Sequence, residues 1–259
     1  MPFIDHLGMR LHYRTEGSGP VVMLVHGFTQ NCESWFAAGY VDALKDRYQV
    51  IVPDLPAHGL SGHPHDEAAY TGERLVGGLT AILDDAGAER AVYWGYSMGG
   101  TVAYRCAVHA PQRFAAWVIG AQRPSGVDWP SRFIGPLRQG AQTFVDLFDA
   151  SQGPLPEARK AELLAMDAEA LACMLTGVRS FIHQDEALAH LTAPTLFYVG
   201  ELDDNHAGGL PAASATVAGS RLIVLPGLNH GRGFSRSRDV LPHILPFLDE
   251  VTRGARTAV

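Results

Sequence analysis

The sequence predicts an α/β protein: a mostly parallel central sheet flanked by helices and interrupted once by a helical insertion. Three observations predict it. Six short apolar runs recur along the chain, nearly continuous rather than alternating, as strands buried on both faces should be. Most gaps between them carry helical periodicity, which implies right-handed crossovers and parallel pairing. Across 121–194 the rhythm stops, with no convincing strand and three helix-like stretches bordered by Pro and Gly.

Element by element, FIDH-LG-MRLHY near the start reads as a hairpin turning at Leu7-Gly8, an antiparallel edge. The buried strands follow at 21-VVMLVHG-27, 48-YQVIVPD-54, 91-AVYWGYS-97, 114-FAAWVIG-120, 195-TLFYVG-200 and 221-RLIVLPG-227. Between them Phe36, Tyr40, Val41 and Leu44 form one apolar stripe, and Leu75, Leu79, Ile82 and Leu83 a second. A third, Ala103, Cys106, Ala107 and Ala110, is small enough to pack closely on a sheet. The interrupting helices are expected at 131–149, 157–166 and 168–182, and a last one at 240–251, where Pro242 and Pro246 should kink it or confine its start. Because the segments on both sides look like strands of one sheet, an insertion is more economical than a second domain. The expected division is a core of 1–122 and 191–259 with a helical cap over 123–190.

Composition narrows the partners. A formal charge of -7 without a dense Lys/Arg run argues against a nucleic-acid surface. The first residues do not read as a signal peptide, and no apolar run approaches the ~18 residues of a membrane span. Three cysteines, Cys32, Cys106 and Cys173, are odd in number and unpaired by motif, so a reducing cytoplasm is the expected home, with the chain a monomer or homodimer.

Gly95-Tyr96-Ser97-Met98-Gly99 fits G-x-S-x-G directly after an apolar strand and before a helical pattern. Such a turn strains the serine backbone and crowds its neighbours, so glycine at both flanks removes clashing Cβ atoms. It also lifts the hydroxyl above the carboxyl ends of the strands, where open α/β sheets hold ligands. Ser97 is therefore the candidate nucleophile. Of the twelve histidines, His230 in LPGLNHG follows the last strand and shares that edge, although His26, His58 and His206 also lie near strand ends. FYVGELDD supplies an orienting carboxylate, with Asp203 preferred and Asp204 the alternative. Oxyanion donors are expected from the backbone N–H of Met98 and of Phe28, in the loop after the first buried strand. His63, His65 and Asp66 in HPHD lack further ligand spacing, so they read as a surface loop; no metal and no cofactor is expected.

HGF at 26–28, DLPAHGLSG at 54–62, GYSMGG at 95–100, GELD at 200–203 and PGLNH at 226–230 resemble, in this order, the α/β-hydrolase superfamily over nearly the whole chain. The resemblance implies an eight-stranded sheet, a helical cap after the sixth strand, and a triad of Ser97, Asp203 and His230, with Phe28 and Met98 giving the oxyanion amides. Asp54 and His58 match a loop that is usually architectural. Members that open epoxides or carbon–halogen bonds place aspartate where this chain has Ser97. These motifs specify fold and triad but not substrate.

The expected activity is hydrolysis of a carboxylic ester or lactone of small to medium, mainly apolar character. Trp129, Phe133, Leu137, Phe144, Leu147, Phe148, Met174 and Phe181 could roof the acyl or alcohol pocket, or simply pack the cap. Arg123 could hold a substrate carboxylate or pair at the surface. Three alternatives stand beside the esterase. A menaquinone-pathway-like lyase is similar in GYSMGG but carries arginine where this chain has Thr101. A carbon–carbon bond hydrolase and a non-turnover ligand receptor use the same frame.

Overall fold

The computed structural model describes residues 2–124, 129–152, 154–179 and 184–256. Eight strands form one sheet: β1 (Phe3–His6), β2 (Met9–Glu16), β3 (Val21–Val25), β4 (Gln49–Pro53), β5 (Ala91–Tyr96), β6 (Phe114–Gly120), β7 (Thr195–Gly200) and β8 (Arg221–Leu225). Their order is β1-β2-β4-β3-β5-β6-β7-β8. Only the pairings of β2, with β1 and with β4, are antiparallel, so the initial hairpin is an edge as expected. The remaining strands run parallel.

Helices cover both faces. α1 (Cys32–Ala37) and α2 (Tyr40–Leu44) lie on one side, α3 (Gly72–Asp85) and α4 (Met98–His109) on the other. Between β6 and β7 come α5 (Trp129–Arg138), α6 (Ala141–Gln152), α7 (Glu157–Leu164) and α8 (Ala168–Arg179). α9 (Asp204–Ala207) and α10 (Leu210–Ala215) join β7 to β8, and α11 (His230–Ser235) and α12 (Ser237–Arg256) finish the chain.

On the α1/α2 face, Trp35, Tyr40, Trp94 and Phe234 stack edge-on or tilted with centroids 4.9 to 5.6 Å apart. On the opposite face the apolar side chains of α3 and α4 are continuous with those of α5 to α8, including Leu137, Phe144, Leu163 and Leu171. The insertion therefore shares the core of the sheet it interrupts.

Four local expectations change. The stripe from Phe36 to Leu44 is two helices, because Gly39 at φ 81° turns the chain between them. The stretch over 131–149 is likewise two, α5 and α6, parted at Gly140 with φ 115°. β8 is not buried on both faces: it is the far edge of the sheet, and Val224 is 37 % exposed. α12 begins before both prolines and runs through them. An interior proline costs about 3 kcal/mol. The buried stripe Val240, Ile244, Phe247 and Leu248 offsets it, each fully buried side chain contributing roughly 1.5–3 kcal/mol.

The chain order reverses between β3 and β5: β4 follows β3 outward on one side, and β5 returns to its other side. A crevice opens at such a switch point outside the carboxyl ends of the strands. The loops after β3, β5, β7 and β8 all emerge at that edge.

Candidate active site

At the end of β5 the backbone turns sharply through Ser97, whose φ is 53° and ψ -117°. A non-glycine residue held there costs on the order of 1–3 kcal/mol, so the surroundings must enforce it. Strand pairing does so: Ser97 N donates to Gly120 O at 2.9 Å. The flanking glycines are a steric necessity. A Cβ on Gly95 would lie 2.4 Å from Gly99 O, and one on Gly99 would lie 2.2 Å from Val25 O. The turn thus presses against the end of β3 with no room for a methyl group. It leaves Met98 as the first residue of α4, its amide without an intrahelical acceptor.

Three side chains from three loops meet above this turn. Ser97 Oγ lies 2.9 Å from His230 Nε2. His230 Nδ1 lies 2.7 Å from Asp203 Oδ2, an arrangement in which the ring N–H donates to the carboxylate. Of the two candidate aspartates after β7, the structure brings Asp203 to the histidine, while Asp204 is exposed. Asp203 is buried, whereas the His230 ring keeps 47 % of its surface open to solvent. Burial pushes the Asp203 carboxyl up, but His230 and the donors of Asn205 outweigh it and hold it below the usual carboxylate range. Asp203 caps α9, and Asn205 gives its Oδ1 both a backbone and a side-chain N–H, at 2.8 and 3.0 Å. That leaves Oδ2 for the imidazole. Asn205 went unnoticed in the sequence, although Asp-x-Asn at a helix start is a recognisable capping pattern.

The loop after β3 lies alongside. A Cβ on Gly27 would come 3.3 Å from Ser97 Cβ, so the two turns touch. His26 is fully buried; its Nδ1 meets Gly27 O at 2.8 Å and its Nε2 accepts from Leu55 N at 3.0 Å. Burial pushes its pKa down, which keeps it a neutral bracket between two loops. His58 is the same kind of residue, pushed down to about 3 by burial, with Nδ1 on Pro56 O and Nε2 accepting from Thr29 N. His206, exposed less than half, meets Glu201 O rather than Ser97. Gly27 N and Thr29 N are both engaged, whereas the Phe28 amide has no acceptor among the described residues.

Asp54 organises the neighbouring loop. Burial alone would raise its carboxyl, yet the amides of Leu60 and Cys32 and the His12 ring hold it down. His12, Cys32 and Asp54 bring ligand-type atoms within 4.8 Å of one another. Both Asp54 oxygens are already taken by N–H donors, so the arrangement is a hydrogen-bonded bracket. His65 of the HPHD loop pairs with Asp167 at the start of α8, tying loop to insertion.

The insertion meets this site through aromatic rings. Phe28 has Trp129, Phe133 and Phe144 around it at centroid distances of 5.8, 5.9 and 6.0 Å, and Phe148 stacks behind them on Phe133 and Phe144. Leu137 and Leu147 belong to the same two helices. Met174 is fully buried on α8, which docks against α5. Phe181 lies outside the described residues. Arg123 is not brought to Ser97. Its Nη1 donates to Asp204 O at 3.3 Å, and its side chain lines a separate open hollow of about 600 Å³ with Pro124, Leu188, Gly208 and Ala212.

Comparison with known proteins agrees with this fold. The family model of the alpha/beta hydrolase fold matches residues 20–172. The chain is 31 % identical over 216 residues to a pimeloyl-[acyl-carrier protein] methyl ester esterase of Vibrio parahaemolyticus, a match covering 76 % of this chain and 81 % of that protein. It is 32 % identical over 219 residues to epoxide hydrolase A of Mycobacterium tuberculosis, covering 81 % of this chain and 64 % of that one. A crystal structure of a hydrolase from Pseudomonas aeruginosa PA01 superposes with a TM-score of 0.81 at 26 % identity, covering 95 % of this chain and 97 % of the other. Among the described residues, no helix is long and apolar enough to cross a membrane.

Proposed function

The chain belongs to the α/β-hydrolase fold family, and we propose that within it the protein is a serine hydrolase of carboxylic esters or lactones. The observation that carries this reading is the line from Ser97 Oγ through His230 Nε2 and Nδ1 to Asp203 Oδ2, at 2.9 and 2.7 Å. In this reading His230 takes the Ser97 proton as Oγ attacks the carbonyl carbon, and the charge on the imidazolium is balanced by Asp203. The carbonyl oxygen becomes an oxyanion between the free amides of Phe28 and Met98; losing one such donor typically costs about 3 kcal/mol in the barrier. His230 then returns its proton to the leaving alcohol and activates water for deacylation, for which its half-exposed ring leaves an approach.

Similarity reaches both an esterase and an epoxide hydrolase, and the attacking atom decides between them. A serine oxygen that opened an epoxide would form an ether, which water does not cleave under these conditions. The same oxygen on a carbonyl forms an ester, which it does. Ser97 therefore favours acyl transfer. The aromatic rings around Phe28 favour a small to medium, mainly apolar substrate, and the methyl ester in the name of the Vibrio relative supports an ester as the target.

The test is a panel of p-nitrophenyl esters, methyl esters, lactones, an epoxide and a dienoic ketone, run with wild type and Ser97→Ala. Steady turnover of esters or lactones that disappears in Ser97→Ala is the expected result. Epoxide opening, or ester turnover that survives the substitution, contradicts the proposal.

A further inference from the structure

Thr29, the residue after the proposed oxyanion amide, is buried and yet held at φ 60°. For a β-branched residue this is a true backbone outlier, so something must hold it there. Its hydrogen bonds show what does. Thr29 N donates to His58 Nε2 at 3.3 Å, from the core. Thr29 O and Oγ1 both accept from one nitrogen, Nη2 of Arg159, at 3.0 and 2.7 Å. Arg159 comes from α7, in the insertion, with its side chain 31 % exposed and its Nη1 on Glu162. A guanidinium bound to a carbonyl and a hydroxyl of one residue is a charge-assisted clamp, stronger than a neutral hydrogen bond and directional.

This clamp bears on the Phe28 amide through peptide planarity. Gly27 O is turned inward, accepting from Gln30 N at 3.2 Å and meeting His26 Nδ1 at 2.8 Å. In a trans peptide the N–H on the other side of that bond, which is Phe28's, must then point the opposite way. The turn keeps this sense only while its far end, Thr29, stays in its strained conformation. His58 fixes the peptide plane before the Thr29 Cα, and Arg159 fixes the plane after it.

We propose that Arg159 is a positioning residue, through which the seated insertion holds the Thr29 turn and so aims the Phe28 amide at the oxyanion. This rests on the serine-hydrolase reading and deepens it: the insertion roofs the substrate and also completes the electrostatic half of the site. Because Arg159 acts through Thr29, its removal is expected to reach the transition state more than ground-state binding.

The experiment compares wild type, Arg159→Met, Arg159→Lys and Thr29→Ser on p-nitrophenyl butyrate, together with inhibition by a trifluoromethyl ketone, whose serine adduct carries an oxyanion. Arg159→Met is expected to lower kcat about 10- to 100-fold with KM changed less than about twofold, the pattern of an interaction made in the transition state. Affinity for the ketone should fall in parallel. Arg159→Lys, which keeps a cation able to reach one acceptor, should recover part of both, and Thr29→Ser, which keeps every acceptor, should stay close to wild type. An Arg159→Met enzyme with unchanged kcat and ketone affinity overturns the proposal. So does a loss confined to KM, or one that Arg159→Lys and Arg159→Met share equally in step with a fall in melting temperature. A wild type inert toward every ester overturns the serine-hydrolase reading itself, an outcome distinct from an active wild type indifferent to Arg159.

Discussion

Two histidine–aspartate pairs in this molecule have the same length and opposite surroundings. His12 Nδ1 to Asp54 Oδ2 and His230 Nδ1 to Asp203 Oδ2 are both 2.7 Å. Both carboxylates are buried, and both are held below their ordinary range by N–H donors despite that burial. The difference lies in the second ring nitrogen. His12 Nε2 is sealed in the interior with no partner among the described residues, while His230 Nε2 faces Ser97 Oγ at 2.9 Å from a ring that is 47 % exposed. One pair fastens loops; the other can move a proton. An Asp–His contact is therefore not by itself a sign of chemistry, and what the far nitrogen meets decides.

Breaking the second pair should cost activity. Ser97→Ala should lower kcat by about 10⁶-fold, as loss of the nucleophile does where such residues act as a unit. Its melting temperature should not fall, because the substitution leaves the turn's backbone contacts in place. Asp203→Asn should lower kcat by about 10⁴-fold at neutral pH, by favouring the wrong imidazole tautomer. A progress curve with a good p-nitrophenyl ester measures both.

Breaking the first pair should cost stability instead. Asp54→Ala strands the amides of Cys32 and Leu60 and the His12 ring without an acceptor, so denaturant unfolding should show a loss of about 3 kcal/mol or more. Activity per folded molecule should be retained.

A third, exposed pair sharpens the contrast and carries the smallest effect. Asp167 raises the His65 pKa, so this histidine stabilises the fold at low pH and its contribution is lost as pH rises through the raised value. Burial pushes the Asp167 carboxyl up, but the Ala170 amide and His65 bring it below its ordinary range, so its contribution is lost as pH falls through that depressed value. Melting curves of wild type and His65→Gln should differ slightly between those two values and converge on either side.

Much of this contrast was legible in the sequence, and the reasons are physical. A turn that tolerates no Cβ at positions 95 and 99 writes itself as glycine around Ser97, so the proposed nucleophile stood out. A buried parallel sheet forces apolar runs, which placed the strands to within a residue or two. β8 differed because an edge strand with the same apolar letters is covered on fewer sides. Asp203 and Asp204 stayed open because spacing cannot tell which of two adjacent carboxylates faces inward. Asn205 and Arg159 act through contacts set by tertiary placement, the second reaching 130 residues along the chain, and no local pattern announces such a reach. In the insertion, aromatic residues at helical spacing look alike whether they roof a site or pack a core. Trp129, Phe133 and Phe144 surround Phe28, Phe148 stacks behind them, and Arg123 lines another hollow.

The central claim is that Ser97, activated by His230, is the attacking atom. A fluorophosphonate probe reports on that atom directly, because it bonds covalently to an activated serine oxygen. Intact-mass and peptide analysis should find one adduct per chain, on the peptide holding Ser97, absent in Ser97→Ala, much slower in His230→Ala and undiminished in His65→Gln. An adduct on another residue, or one that forms as fast without His230, would contradict the account.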